Sequence, residues 1–267
     1  MTIAIAIKIN NGLVLATDSA AVIGEVEENQ TRVHHTYYTA DKLFNLKKGE
    51  PIGCLTWGDG SINGVSISTL TKDFREKIKD IETIDVEDIA EKFSDFFEDN
   101  LEKNPEKVDV GFLIAGYSNN NGYTPEMYLI EIEKGVLSNR RPLPTTDDFS
   151  ISWFGGEDYL SRFIFGIDPN IVPLLIQNKI VDDSTANKIV DCCKKNLPIP
   201  LGTPEMPIQD AIDLARFLVS IAENTSMFLP GPQLVGGPID IAVITKHEGF
   251  KWIRRKHYYT QELNINE

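Results

Sequence analysis

Residues 2–19 read Thr-Ile-Ala-Ile-Ala-Ile-Lys-Ile-Asn-Asn-Gly-Leu-Val-Leu-Ala-Thr-Asp-Ser, and this stretch decides how the fold begins. Ile3, Ile5, Ile7 and Ile9 alternate with smaller or polar residues, so one face of an extended chain is uniformly large and apolar. Asn10-Asn11-Gly12 supplies residue types suited to a tight turn and tolerant of positive φ. Leu13–Thr17 then reads as a returning strand. The chain therefore opens on a β-hairpin whose second arm ends at Asp18-Ser19.

Working outward, residues 20–38 are mixed and polar and read as loop plus extended chain. Lys42–Leu46 is a short strand, residues 47–50 a charged turn, and Ile52–Trp57 the next strand. Gly58-Asp59-Gly60-Ser61 leads into a helical pattern. Apolar residues recur at helical spacing over about 63–80 (Val65, Ile67, Leu70, Phe74, Ile78) and again over 86–101 (Ile89, Phe93, Phe96, Phe97). Strands return at Val110–Tyr117 and Met127–Glu131, with an extended segment at Phe149–Phe154. Helical patterns follow at Asp158–Phe165, Ser184–Lys195 and Ile208–Ala222, and strands at Ile239–Thr245 and Phe250–Arg254.

Elements of one type come in runs rather than in strict β-α-β alternation, which predicts an α+β layered arrangement and not a doubly wound sheet. No repeat or linker divides the chain. The expected organisation is one domain over 1–267, with a helical insertion at about 167–206 and a polar tail at about 257–267. The apolar content of the 63–80 and 86–101 helices, Phe96 and Phe97 above all, exceeds what one solvent-facing layer needs and predicts self-association.

Apolar residues at 42% and charged residues at 25% are ordinary for a globular protein and argue against wholesale disorder. The net charge of −14 disfavours nucleic acid as a partner, because phosphate binding needs a surplus of Lys and Arg. An acidic surface chiefly serves solubility and does not define a substrate. Three cysteines, two of them adjacent (Cys192, Cys193), make no disulfide framework and fit a reducing compartment. The pair reads as core-facing rather than reactive. The apolar start breaks at Lys8 with no basic residues before it, a poor signal peptide, and no run approaches the ~20 apolar residues that span a bilayer. The expected setting is the cytosol, without a membrane. No Cys/His spacing suits a metal, and no phosphate loop, His-Glu-x-x-His or nucleophile elbow is present.

Four residues merit attention. Thr2 follows the initiator Met, whose removal would place a hydroxyl and a free α-amine on one residue. An α-amine titrates near ~8, so a neutral fraction able to act as a base exists at physiological pH. Alone, Thr at this position signals only that Met is trimmed. Asp18 alone reads as an Asx turn, Lys42 as a solvated edge charge, and Gly58 as a tight connection.

In combination they carry a resemblance. The stretches TIAIAIKINNGLVLATDS (2–19), ADKLFNL (40–46) and CLTWGDGS (54–61) resemble the start of a proteasome β-subunit, in order and near its spacing. VGFLIAGYS (110–118) is similar to that family's central strand. AIDLARFLVSIAENTS (211–226) followed by GGPIDIAVIT (236–245) is similar to its last helix and strand. The start at Met-Thr and the long Ser226–Val235 connection are similar to the bacterial HslV and Anbu branch. The resemblance implies a four-layer αββα sandwich of two antiparallel sheets, the N-terminal-nucleophile (Ntn) hydrolase fold. It implies Thr2 as nucleophile, Asp18 and Lys42 as its ionic partners, Gly58 as an oxyanion-hole amide, and no cofactor. Ala21, Thr56 and Gly60 would line the substrate pocket with Phe44 nearby, while Trp57 would narrow the approach.

Two departures stand out. Phe154-Gly155-Gly156 lacks a Ser that the family pattern places between glycines. The count along the last helix puts Ser226 where the family has a supporting Asp, with Asn224 and Thr225 as alternatives. The expected function is a threonine-type peptidase or amidohydrolase acting on peptides or unfolded protein, self-associated in a ring or spiral. An ATPase unfoldase partner stays undefined. The alternative is a non-catalytic or weakly active structural subunit of such an assembly.

Overall fold

The computed structural model describes residues 2–27, 30–81, 85–102, 107–119, 124–144 and 148–256. The polar tail expected at about 257–267, with His257, lies outside the described residues.

The opening hairpin, β1 (Ile3–Ile9) and β2 (Gly12–Thr17), forms the middle of the first sheet. The remaining strands are β3 (Ala21–Glu27), β4 (Gln30–Tyr37), β5 (Leu43–Asn45), β6 (Ile52–Gly58), β7 (Ser61–Ile62), β8 (Val65–Ser66), β9 (Val110–Gly116), β10 (Glu126–Glu133), β11 (Val136–Pro142), β12 (Ser150–Gly155), β13 (Asp240–Thr245) and β14 (Gly249–Arg254). The helices are α1 (Ile67–Lys77), α2 (Val86–Glu102), α3 (Glu157–Phe165), α4 (Ile171–Gln177), α5 (Asp183–Asn196) and α6 (Ile208–Phe228). One antiparallel sheet has the order β12-β1-β2-β13-β14 and the other β11-β10-β9-β6-β5.

The period-two pattern of β1 explains the layering. Ile3, Ile5, Ile7 and Ile9 lie under α6 and α3 with Ala211, Ala215, Leu218 and Leu160. Ala4 and Ala6, on the opposite face, meet Leu43, Leu55 and Leu113 of the second sheet. Small residues there let the two sheets approach closely. The outer face of the second sheet carries α1 and α2 through Leu70, Phe74, Phe93 and Phe97. The result is helices, sheet, sheet, helices: the four-layer αββα sandwich. Each fully buried Ile of β1 contributes about 2–3 kcal/mol of burial.

Several expectations need correction. Within the 20–38 segment, expected as loop plus extended chain, residues 21–27 and 30–37 are extended and pair as the antiparallel strands β3 and β4. The turn after β1 is tight, but Asn10, Asn11 and Gly12 have no positive φ. Gly12 is small because a Cβ would meet the Ile244 carbonyl oxygen at 2.8 Å on neighbouring β13. β11 is an extra strand, unread because a mostly exposed edge has no apolar alternation. Phe97 is fully buried and Phe96 packs against the same core, in a group of edge-to-face and tilted rings with Phe74, Phe93 and Phe112. Those helices turn their aromatic residues inward, so they give no exposed apolar face of the kind inferred.

The 167–206 segment holds α4 and α5. Asp182 caps α5, its carboxylate accepting from Thr185 N at 2.7 Å. The segment is tied to the sandwich by Ile199 N donating to Ile164 O at 2.9 Å and Asn10 N donating to Pro204 O at 3.0 Å. Only Ala186 of α5 is buried; Cys192 is exposed and Cys193 half-buried, so the pair does not face a core. Among the described residues no helix is long and apolar enough to cross a membrane.

Candidate active site

β1 and β2 end together at one mouth of the sandwich, and the backbone there is cross-tied. Asp18 N donates to Ile3 O at 3.3 Å, and Thr17 Oγ1 donates to the same oxygen at 3.0 Å. This places the Asp18 side chain, fully buried, directly behind Thr2. Asp18 Oδ1 accepts from Ile3 N at 3.2 Å and from Lys42 Nζ at 2.7 Å. Its Oδ2 accepts from Ala20 N at 3.0 Å and Gly236 N at 3.1 Å. Four donors on one carboxylate offset the cost of burying it.

Lys42 enters from the chain that leads into β5, anchored by Thr56 N donating to Lys42 O at 2.9 Å. Its side chain is 7% exposed. Burial pulls the Lys42 ammonium below the ordinary lysine range; Asp18 opposes this by charge and hydrogen bond, and Lys256 adds to it. The amine is thus easier to deprotonate than a surface lysine.

Thr2, Lys42, Thr56, Gly58 and Gly60 line one cleft of about 1120 Å³ together with Ala20, Ala21 and Leu234. Asp18 stands behind that wall rather than on it. Gly58 closes β6 at φ +90°, and an added Cβ would lie 2.3 Å from Asp109 O, so only Gly fits. Thr56 Oγ1 donates to Gly111 O at 3.1 Å. Trp57 does line the cleft, but its ring is stacked on Phe154 at 4.3 Å and lies over Gly111, so its bulk is fixed to the inter-sheet floor. Phe44 is core instead of pocket, packed with the α1–α2 layer.

The double Gly has its own use. Gly155 pairs with Ile3 at φ +85°, and a Cβ there would fall 1.9 Å from Thr2 O. Gly156 N donates to that oxygen at 2.5 Å. Backbone thus holds the Thr2 carbonyl at this corner.

The three candidates on α6 differ in burial. Asn224 and Thr225 are exposed, and Thr225 Oγ1 only returns to Ile221 O at 2.7 Å. Ser226 is buried, and its Oγ accepts from Leu234 N at 3.0 Å and Val235 N at 3.2 Å. It fixes the connection that delivers the Gly236 amide to Asp18. One residue went unread: Glu223 of α6, raised above the usual carboxylate range by burial and by the Asp18 charge, against the pull of Arg254. No local signal marks it, since Glu is ordinary on a helix surface. Among the described residues no group of His, Cys, Asp and Glu is placed to hold a metal ion.

Solved structures with a similar fold exist. The chain superposes on Anbu (ancestral beta-subunit) from Yersinia bercovieri with a TM-score of 0.53 and 12% identity, over 98% of this chain and 91% of that one. It superposes on the Anbu (Gly-1) mutant from Hyphomicrobium sp. strain MC1 with a TM-score of 0.55 and 15% identity, over 99% and 91%. The fold is that of the Ntn hydrolases. No protein-family model and no curated protein matches the sequence. The likeness covers the whole sandwich, and at this identity it speaks of architecture, not of chemistry.

Proposed function

We propose that this chain is a threonine-type N-terminal-nucleophile hydrolase that cleaves peptide or related amide bonds within a proteasome-like self-assembly. The observation that carries it is the buried Lys42–Asp18 pair: Lys42 lines the cleft beside Thr2 and Gly58, and Asp18 holds it from behind the wall. A pair this deep is costly to bury and adds little stability over an apolar pair, so a chemical role accounts for it best.

In the proposed reaction the Thr2 hydroxyl attacks a substrate carbonyl. Its proton passes to the Thr2 α-amine, directly or through water, with Lys42 assisting the transfer and balancing the developing charge. The Gly58 N–H faces the tetrahedral oxyanion; such a donor is worth ~10²–10³ in rate. The α-amine then protonates the leaving amine, and water resolves the ester. No metal or organic cofactor has a part in this scheme. Small residues on the cleft wall (Ala20, Ala21, Gly60) leave room for a peptide side chain. We place the activity in the cytosol, on peptides or unfolded protein, in an assembly of the HslV and Anbu kind; an ATPase unfoldase would be a natural supplier of substrate.

The chemistry requires a free amine on Thr2, since an amide nitrogen cannot accept the proton. A peptide epoxyketone engages hydroxyl and α-amine together, and intact mass with fragment sequencing locates the adduct. An adduct on Thr2 is expected from chains that begin there, and none from chains retaining Met1. Chains shown to begin at Thr2 that form no adduct would favour the second reading, a non-catalytic subunit. The observation behind that reading is the missing Ser hydroxyl at Phe154-Gly155-Gly156.

A further inference from the structure

Beside the Lys42–Asp18 pair lies a second buried ion cluster that the proposed reaction leaves unused. The Lys256 side chain, just past β14, is 6% exposed, and its Nζ is paired with Asp240 Oδ2, itself 3% exposed. The Lys256 backbone N donates to Asp240 Oδ1 at 2.9 Å, so both carboxylate oxygens grip the same residue. Lys256 Nζ is also 3.6 Å from Asp41 Oδ1. The other Asp41 oxygen accepts from Ser68 Oγ of α1 at 3.2 Å, with Lys72 Nζ at 4.0 Å on the outer side.

The two clusters are neighbours by construction. Asp240 pairs across the sheet with Thr17, the residue before Asp18. Asp41 immediately precedes Lys42, and both line the cleft. Asp41 thus bridges the Lys256 ammonium and the α1 wall of the cleft, one residue from Lys42.

We propose that Lys256 is a positioning residue of the active centre: it fixes Asp41, and through it the chain that delivers Lys42 to Asp18, and sets a second buried cation beside the first. The proposal rests on the reading of Lys42 as the partner of Thr2. The charged groups acting on Lys42 are Asp18 from the end of β2 and Lys256 from beyond β14; Asp41, next to it in the chain, and Asp240 of β13 are paired with Lys256. Lys72 of α1 stands outside Asp41, and Glu223 of α6 lies beyond Asp18. Within this set Lys256 is a like charge that favours the neutral amine of Lys42. Taking its charge away removes that repulsion and also frees the Asp240 and Asp41 carboxylates. Loss of that repulsion strengthens the hold of Lys42 on its proton.

Competitive acetylation of amines across pH, read at the Lys42 peptide by mass spectrometry, follows this directly on the full chain. It is paired with the rate of Thr2 adduct formation by a peptide epoxyketone. In Lys256→Gln the Lys42 midpoint is expected to rise by more than ~0.2 pH unit, and the adduct rate at pH 7 to fall about tenfold because Asp41 no longer holds the chain that delivers Lys42. Lys256→Arg keeps the charge and is expected to hold both near the parent. Where melting shows Lys256→Gln to be poorly folded, Asp240→Asn/Lys256→Gln removes the pair as a unit, and its midpoint should still rise. A midpoint unchanged to within ~0.2 in a folded variant, or moved as far by Arg as by Gln, overturns the proposal. A midpoint that rises while parent chains shown to begin at Thr2 form no adduct supports the coupling of Lys256 to Lys42 and overturns the Thr2 reading instead.

Discussion

Lys42 Nζ lies 2.7 Å from Asp18 Oδ1, and of the two partners it is Asp18 that also collects three backbone amides, from Ile3, Ala20 and Gly236. The pair is therefore unequal. Asp18→Ala leaves a buried ammonium without its counter-charge and is expected to cost ~3–5 kcal/mol of stability. Lys42→Ala leaves Asp18 with its three amides and should cost clearly less, while reducing Thr2 reactivity by orders of magnitude. Urea unfolding of the two variants beside epoxyketone labelling measures both. Near-parental labelling of Lys42→Ala would return that lysine to a structural ion pair.

Gly155 and Gly58 test the backbone frame around Thr2. A Cβ at position 155 would lie 1.9 Å from Thr2 O in a left-handed conformation. Gly155→Ala should cost ~1–3 kcal/mol in backbone strain alone and displace the nucleophile, lowering both melting temperature and adduct rate. Gly58→Ala collides with Asp109 O and turns the proposed oxyanion amide away, with an expected rate loss of ~10²–10³. An unchanged adduct rate in folded Gly58→Ala would remove that amide from the mechanism.

Ser226 separates the three candidates on α6. Its hydroxyl oxygen accepts two backbone amides of the 234–235 connection, so Ser226→Ala orphans both, at ~1–3 kcal/mol. The loss should also loosen the Gly236 amide on Asp18, seen as faster hydrogen exchange at residues 234–236. Asn224→Ala and Thr225→Ala, both on the exposed face, are expected to stay within ~0.5 kcal/mol of the parent. Equal effects at all three positions would contradict the assignment.

Glu223 gives a pH signature with a defined sign. Its folded value lies above the usual carboxylate range, through burial and then the Asp18 charge. The folded chain therefore binds this proton more tightly than the unfolded one. The associated stability is complete below the unfolded value of ~4.3 and is lost as pH rises through the folded one. Glu223→Gln should raise the melting temperature at pH 7–8 by ~1–3 °C, a gain that vanishes toward pH 4. A destabilised Gln variant at neutral pH would show that the Arg254 attraction outweighs both burial and Asp18.

Much of this was legible in the chain because it is local. Period-two alternation over 3–9 fixed which face of β1 meets helices and which meets the other sheet. Helical spacing marked α1, α2, α3, α5 and α6, and runs of like elements gave the layered class. The resemblance in residues 2–19, 40–46 and 54–61 brought Thr2, Lys42 and Gly58 forward, and the cleft does gather them. Periodicity failed where burial is one-sided or slight: β11 is an exposed edge, β3 and β4 form a two-stranded hairpin outside both sheets, and α4 has no buried residue. The aromatic spacing of α2 was read correctly and its direction wrongly, because a helical repeat defines a face without saying what covers it.

What only the tertiary structure decided is the set of contacts between distant parts of the chain. The Gly236 amide reaches Asp18 across 218 residues, and Lys256, just past β14, reaches Asp41 on the chain that leads into β5. Backbone amides and paired charges of this kind carry no periodicity. A Gly N–H looks like every other N–H until a sheet order brings it to a carboxylate, and a Lys at the end of a strand reads as solvated until a neighbouring strand buries it. The sequence by itself thus determined the layers and brought forward the candidate residues. Strand order determined which carboxylates, amides and cations surround them, since burial and pairing exist only once the sheets have closed.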